Sequence, residues 1–592
     1  MNLINTLQQK MKERNISYYI VPTADYHNSE YISDYFKDRQ YLTGFTGSQG
    51  TLLVTQDNAY LWVDGRYYIQ AELQTKDTGI TIMKMGQPNV PTILEFIGSQ
   101  ANDGDLIGFD GKTMNASFVL NLQASIPKAI KLAYVQNLVD EIWEKRPKLP
   151  FSLLYELPIE YAGMSYEDKL QAIRVEMNKN NADVHILSSL EDQAWLYNLR
   201  ANDISHTPVF LAFTMITAST TTLFIDTKKI NAMVEKYLND HNIIVKPYEE
   251  IYSQVKQIKS KNLLMNLKKV NYLLYAICEE SNDIIDKDDP SLLLKSIKNP
   301  IEIKNIKEAH IKDGVAFTKF MHYVKTNYEL CDLSEISASK ILEDYRKQNQ
   351  GFIDLSFNTI CAFKDHGAMM HYSATSDTNY NLDSPGFLLI DSGGHYLEGT
   401  TDITRTISLG KITDTMKIHF TTVLKSVIAL SKAVFLKGCN GQNLDILARG
   451  PIWELLIDYK CGTGHGVGYL LSVHEAPNGF RWQIVPERND SAKFLPGMVT
   501  TNEPGIYLEN EYGIRTENEM LCVNAGSSEF GEFLKFETIT YAPIDLDAIK
   551  PSLLTKPEKE WLNNYHEMVY NTLKPYLTKD EAIWLEKYTK KI

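Results

Sequence analysis

The sequence predicts a mixed α/β chain of three domains, the first two related to each other. Three observations carry this reading. A helix-then-strand segment occurs twice in altered form, proline-marked breaks fall at residues 145–151 and 290–300, and the residues suited to chemistry cluster after the second break. The predicted boundaries are 1–150, 151–297 and 298–592, the last including a C-terminal extension.

A chain of 592 residues exceeds what a single core supports. The first copy of the repeated segment is INTLQQKMKERNISYYIV, and the second, LQAIRVEMNKNNADVHIL, begins at Leu170. Ile4, Leu7 and Met11 match Leu170, Ile173 and Met177, each set spaced i, i+3, i+7 along one helical face. Both copies then pass through a polar turn into an apolar strand, YYIV or VHIL, which indicates a duplicated unit. KRPKLPF reads as a linker because its two prolines and basic residues discourage regular structure. Beyond Pro300, Ile311, Val315 and Val324 lie on one stripe, predicting a long amphipathic helix that opens the third domain.

Composition narrows the function. With 44% hydrophobic and 23% charged residues the chain reads as an ordinary soluble protein. No stretch has the roughly 18 consecutive apolar residues of a membrane helix, and MNLINTLQQKMKERN lacks the apolar core of a secretion signal. The expectation is a cytoplasmic protein with no membrane partner. The six cysteines show no CxxC spacing, which argues against a zinc knuckle or a disulfide framework. A net charge of −14 would repel phosphate backbones, so nucleic acid is not an expected partner.

Four pieces of the third domain carry candidate chemistry. In GFLLIDSGGHYLEGTTDITRT an apolar strand ends at Asp391, a Gly-rich turn follows, and a β-branched strand resumes at Asp402. An Asp beside Gly is also ordinary turn chemistry. CGTGHGVGYLLSVHEAP sets His465 between glycines, which allow close backbone approach, with His474 following. In LPGMVTTNEPGIYL a strand-like run ends at Glu503, and in YGIRTENEMLCV an alternating strand would place Arg515, Glu517 and Glu519 on one face. Such a strand could equally be an edge with solvated charges. Combined, the pieces supply four carboxylates and one imidazole, an oxygen-rich set suited to two divalent cations. The hardness of that set favours Mn2+, with Co2+ or Zn2+ able to occupy it.

At these residues the sequence resembles the pita-bread metallopeptidases, and more closely the long, three-domain Xaa-Pro aminopeptidases. The resemblance extends to PTADYHNSEYI, YLTGFTGSQGT, LWVDGRYYIQAE, DQAWLYNLRANDISHTPVF and, near the end, EWLNNYH. It implies two creatinase-like N-terminal α/β domains followed by a pita-bread catalytic domain. It also implies that Asp391, Asp402, His465, Glu503 and Glu517 bind two metals, with Asp402 and Glu517 bridging them. The implied reaction is hydrolysis of the bond between an N-terminal residue and a following proline by a metal-bridging hydroxide. His371, His474 and Glu503 take catalytic roles, and Arg66, His371, His465 and His474 contact the substrate. Homodimers are expected. Many relatives carry a histidine four residues before His465, where this chain has Cys461. A thiol there alters contacts to the residue after the scissile bond, and an inert buried thiol is the plainer reading. A prolidase-type dipeptidase and a non-catalytic peptide-binding module are the alternatives.

Overall fold

The computed structural model describes residues 3–134, 137–485 and 488–592, and the chain divides into two compact units. The first contains the chain up to Pro158 together with Met164–Leu292; the second contains Ile159–Gly163 and Leu293–Ile592.

The duplication is visible in the first unit as two six-stranded sheets of one design. In spatial order the first runs Ile80–Lys84, Ala59–Val63, Thr51–Thr55, Tyr18–Pro22, Leu106–Phe109, Lys131–Ala133. The second runs Ile244–Pro247, Thr221–Ile225, Ala212–Thr217, Val184–Leu187, Asn262–Met265, Asp283–Asp286. Neighbours in both follow the same sequence of parallel, antiparallel, antiparallel, parallel, parallel. The repeated helices are Leu3–Glu13 and Tyr166–Lys179, and all six residues of the predicted stripes are buried. Each contributes about 1.5–3 kcal/mol by leaving water.

The two sheets share one apolar core, in which Ile20, Leu53 and Phe109 join Ile186, Phe213 and Met265. Where they meet, matching helices start side by side. Asn115 caps one and accepts from the Phe118 amide, while Asn271 caps the other and accepts from Leu274. The Ala116 amide donates to the Val270 carbonyl and the Tyr272 amide to Met114, a reciprocal pairing expected of a duplicated unit.

The second unit opens with the helix Pro300–Asn327, held at its start by an Asn299 capping box and by proline in its first turn. Val315 and Val324 are buried, as predicted, and Ile311 is half-buried. Antiparallel sheets follow. The strand Gly386–Ser392 lies between Ile360–Phe363 and Ile403–Leu409. A six-stranded sheet takes the order Val434–Leu436, Gly531–Thr538, Asn518–Ser528, Val499–Asn502, Gly464–Gly466, Glu475–Phe480. Among the described residues no helix is long and apolar enough to cross a membrane.

One sequence expectation needs correction. Glu517 and Glu519 do not share a single strand with Arg515: the chain leaves the two-stranded pairing at Arg515 and enters the six-stranded sheet at Asn518. Between them the Glu517 amide donates to the Thr404 carbonyl. Alternation cannot detect a strand that changes sheets, and this change carries Glu517 to the strand following Asp402.

Candidate metal centre

The candidate ligands sit in or beside strands. Asp391 pairs in register with Thr404, so the Gly386–Ser392 and Ile403–Leu409 strands bring Asp391 and Asp402 to one end of a sheet. His465 occupies the middle of Gly464–Gly466. A side chain on Gly464 would start 2.0 Å from the Thr501 carbonyl, and one on Gly466 would start 2.3 Å from that of Glu475, so glycine is required on both sides. Glu503 follows Val499–Asn502, with its amide donating to the Thr463 carbonyl.

Donor atoms of Asp402, His465 and Glu517 all lie within 4.8 Å of one another. His465 Nε2 is 3.4 Å from Asp402 Oδ2 and 3.4 Å from Glu503 Oε1. Its Nδ1 lies 2.9 Å from the Gly466 carbonyl, a contact that requires the proton on Nδ1 and leaves the Nε2 lone pair facing the carboxylates. The His474 ring stands edge-on to that of His465 at 4.2 Å.

Arg515 organises the carboxylates. Its Nη2 donates to Asp391 Oδ2 at 2.5 Å, its Nε to Thr404 Oγ1 at 3.1 Å and its Nη1 to the Tyr507 hydroxyl at 2.7 Å. Thr404 in turn donates to Glu517 Oε2 at 2.7 Å. Thr501 donates to Glu503 Oε1 at 3.1 Å and receives the His465 amide. Sequence reasoning missed both threonines, because nothing in TDITRT or VTTNEP separates a supporting hydroxyl from an ordinary strand threonine.

The donor set fits divalent cations on its own chemistry. Asp391 Oδ1, Asp402 Oδ1 and Glu517 Oε1 are buried and accept no hydrogen bond. An unpaired buried carboxylate oxygen is costly unless a cation faces it. Burial, then Asp391, Glu503 and Glu519, push the Asp402 carboxyl well above the ordinary range, with Arg515 opposing. Glu517 is raised likewise by burial, then by Asp402, Glu503 and Asp391, against the Thr404 hydrogen bond. Crowded carboxylates cannot all stay ionised alone, whereas two dications balance four of them.

This gives a testable sign. Without cations the folded carboxyls hold protons above their unfolded pKa, so their stabilising contribution is present at low pH and is lost as pH rises through the raised values. A cation must displace those protons. Calorimetric titration of Mn2+ into the chelated protein, in two buffers of different ionisation heat, should show net proton release and tighter binding as pH rises. Binding without proton release would contradict the crowding.

Burial, then the Glu503 carboxylate, push the Cys461 thiol up to about 11, with Arg449, Arg515 and Arg481 opposing. A thiol held that high stays protonated near neutral pH, and the side chain is half-buried. His371 lies in the turn after the short helix Lys364–Ala368 and is half-buried; its neighbour Met370 accepts at its carbonyl from Arg515 Nη2 at 3.5 Å. Arg66 belongs to the first unit, where its Nε and Nη2 grip Asp64 at 2.9 and 2.8 Å. Glu519 is fully buried 3.2 Å from His310, also fully buried.

The chain matches the Creatinase/Prolidase N-terminal domain family twice, over residues 4–142 and 145–302. It matches metallopeptidase family M24 over 304–524 and the C-terminal region of peptidase M24 over 532–592. Probable Xaa-Pro aminopeptidase P of Blastomyces gilchristii is 38% identical across 99% of this chain and 98% of its own length. The protein of the same description from Talaromyces marneffei is 36% identical, covering 99% and 91%. Among solved structures, X-prolyl aminopeptidase from Caenorhabditis elegans, described as a cytosolic enzyme with a di-nuclear active site, superposes with a TM-score of 0.92 at 30% identity. It covers 98% of this chain and 95% of that one. Xaa-Pro dipeptidase from Bacillus anthracis shares the fold over only 64% of this chain, at a TM-score of 0.51 and 24% identity. With relatives aligned end to end and the M24 residues forming a buried acidic centre, the chain belongs to the Xaa-Pro aminopeptidase P family, its second unit falling in metallopeptidase family M24.

Proposed function

We propose that this chain is a metal-dependent aminopeptidase that hydrolyses the bond between an N-terminal residue and a following proline. The observation that carries the proposal is the cluster of Asp402, His465 and Glu517, in which the buried Asp402 Oδ1 and Glu517 Oε1 accept no hydrogen bond, in a chain aligned along its whole length with Xaa-Pro aminopeptidases. Asp391, Asp402, His465, Glu503 and Glu517 would hold two divalent cations, Mn2+ by the hardness of the donors. When bound, the cations supply Lewis acidity and a nucleophile at neutral pH. Glu503 takes up the proton of the attacking water, and His371 and His474 donate hydrogen bonds to the substrate carbonyl as charge develops on it. A free N-terminal amine can reach the cations or pair with the ligand carboxylates, which a blocked N-terminus cannot. Proline after the scissile bond brings no N–H, so the pocket needs no acceptor there.

Six unpaired cysteines suit a reducing compartment, and the solved relative is described as cytosolic, which together support a cytoplasmic location. A homodimer is supported by an apolar surface in the second unit. Leu456 is 97% exposed, and Trp453 and Trp482, their rings 5.9 Å apart, lie in the open with Ile484. Light scattering should find paired chains for the native protein and single chains for Leu456→Asp; an unchanged mass would remove this surface from consideration.

The deciding experiment is hydrolysis of Arg-Pro-Pro, Arg-Ala-Ala and Ala-Pro after chelation and Mn2+ re-addition. Manganese-dependent release of arginine from Arg-Pro-Pro alone is expected. Cleavage confined to Ala-Pro would make the chain a prolidase, and no cleavage with any cation would leave a peptide-binding module.

A further inference from the structure

Glu335 is the first residue of the helix Glu335–Lys347, whose start is set by a Ser334 capping box with Ser337. A carboxylate is favourable at that end of a helix, but the side chain turns away from solvent and is fully buried. Its two oxygens accept four hydrogen bonds. Oε1 receives the Phe363 amide at 2.7 Å and His366 Nδ1 at 2.8 Å; Oε2 receives the Tyr372 hydroxyl at 3.0 Å and the Tyr380 amide at 2.8 Å. A carboxylate offers about four lone-pair sites. Glu335 is therefore saturated, and every donor comes from the segment between Phe363 and Tyr380.

That segment carries His371, next to Tyr372. The Glu335 amide also donates to the Tyr380 carbonyl and the Ile336 amide to Asn379 Oδ1, so the end of the segment is tied to the helix start in both directions. Within it the His366 ring is sandwiched between Tyr372 at 4.3 Å and Tyr380 at 3.7 Å, near-parallel to both. Its other side meets the strand leading to the metal centre. Gly367 approaches Gly513 so closely that a side chain there would start 2.8 Å from the Gly513 nitrogen, and Met370 meets Arg515. One buried carboxylate thus closes the loop whose Met370 carbonyl meets Arg515, the partner of Asp391.

We infer that Glu335 is a positioning residue: it fixes the His371 loop against the metal centre, and its contribution to catalysis passes through His371. The inference rests on the role proposed above for His371. A carboxylate with no spare lone pair and no solvent exposure has no other partner to serve, and its burial keeps it from touching substrate directly. Charge-assisted bonds of this kind are stronger than neutral ones, and losing the registration of one catalytic group by about 1 Å costs up to roughly 100-fold in rate.

The test uses the full chain loaded with Mn2+, comparing wild type, Glu335→Gln, His371→Ala and the double variant. Glu335→Gln keeps the volume but presents an amide N–H to donors that need an acceptor. Its kcat on Arg-Pro-Pro should fall roughly 10- to 100-fold, with KM changed less than about threefold and full metal content. In the His371→Ala background the same substitution should cost nothing further. Hydrogen exchange of the metal-free protein should speed up across residues 363–380 and stay unchanged at the ligand strands. Additive losses, an unchanged kcat, or unchanged exchange would each overturn the inference. Should Glu335→Gln fail to fold, Tyr372→Phe removes one donor and leaves the carboxylate in place. It should give a smaller loss that likewise vanishes without His371, and additivity there would overturn the inference as well. If wild type itself cleaves no Xaa-Pro peptide, the proposed function falls, while exchange still decides whether Glu335 anchors the loop.

Discussion

Replacing Glu517 with glutamine is expected to lower kcat/KM on Arg-Pro-Pro by about 1000-fold or more, equivalent to ~4 kcal/mol of transition-state stabilisation. The substitution changes almost no volume, and the Thr404 hydroxyl can still donate to the amide oxygen in place of Glu517 Oε2. What changes is the second oxygen. Oε1 is buried and accepts nothing, and in the variant an uncharged NH2 group with two donors stands in its place, facing the same cations. One of four carboxylate charges is lost, so bound metal should fall below two equivalents per chain, measured by elemental analysis alongside the assay. Near-native activity with both equivalents retained would remove Glu517 from the ligand set.

The largest stability effect is expected at Arg346→Met. Arg346 and Asp313 are both fully buried, with Nε 2.6 Å from Oδ1 and Nη2 3.1 Å from Oδ2; the Tyr396 hydroxyl adds a bond to Oδ1 at 2.8 Å. Methionine fills much of the space but leaves Asp313 charged, buried and held by a single hydroxyl. Breaking a buried pair by removing one partner costs about 3–5 kcal/mol, mostly the desolvation of the charge left behind. Chemical denaturation followed by fluorescence should show this loss in the transition of the second unit. The double variant Arg346→Met with Asp313→Leu should recover part of it, because no orphan charge remains. A loss below about 1 kcal/mol in the single variant would mean that water reaches Asp313.

The EWLNNYH motif shows how sequence and structure divide the information. As a string it marks a resemblance and states no physical role. In the fold, the Tyr565 hydroxyl receives Arg405 Nη2 at 2.8 Å and donates to the Ala542 carbonyl at 2.8 Å. Arg405, fully buried, reaches the Glu517 carbonyl and Asn518 Oδ1. The helix Lys556–Leu573, which carries the motif, is therefore fastened to the backbone of a candidate metal ligand, a relation that no local pattern encodes.

Short-range physics accounts for the features readable from residue order alone. Helical stripes such as Ile4, Leu7 and Met11 were legible because burial repeats with the helix period, and the duplication was legible because two such stripes precede similar strands. The ligand candidates were legible only together: each acidic strand end or Gly-flanked histidine is ordinary alone, and it was the combined oxygen-rich set and the family resemblance that marked them. Tertiary structure decided the rest. It joined the two related sheets through one core, made Glu517 change sheets so that it meets Thr404, and gave Arg515 the grip on Asp391. It also turned Glu335 inward to hold the loop of His371. These are contacts between residues tens to hundreds of positions apart. Their energy depends on which buried donor finds which buried acceptor, and only the packed chain determines that.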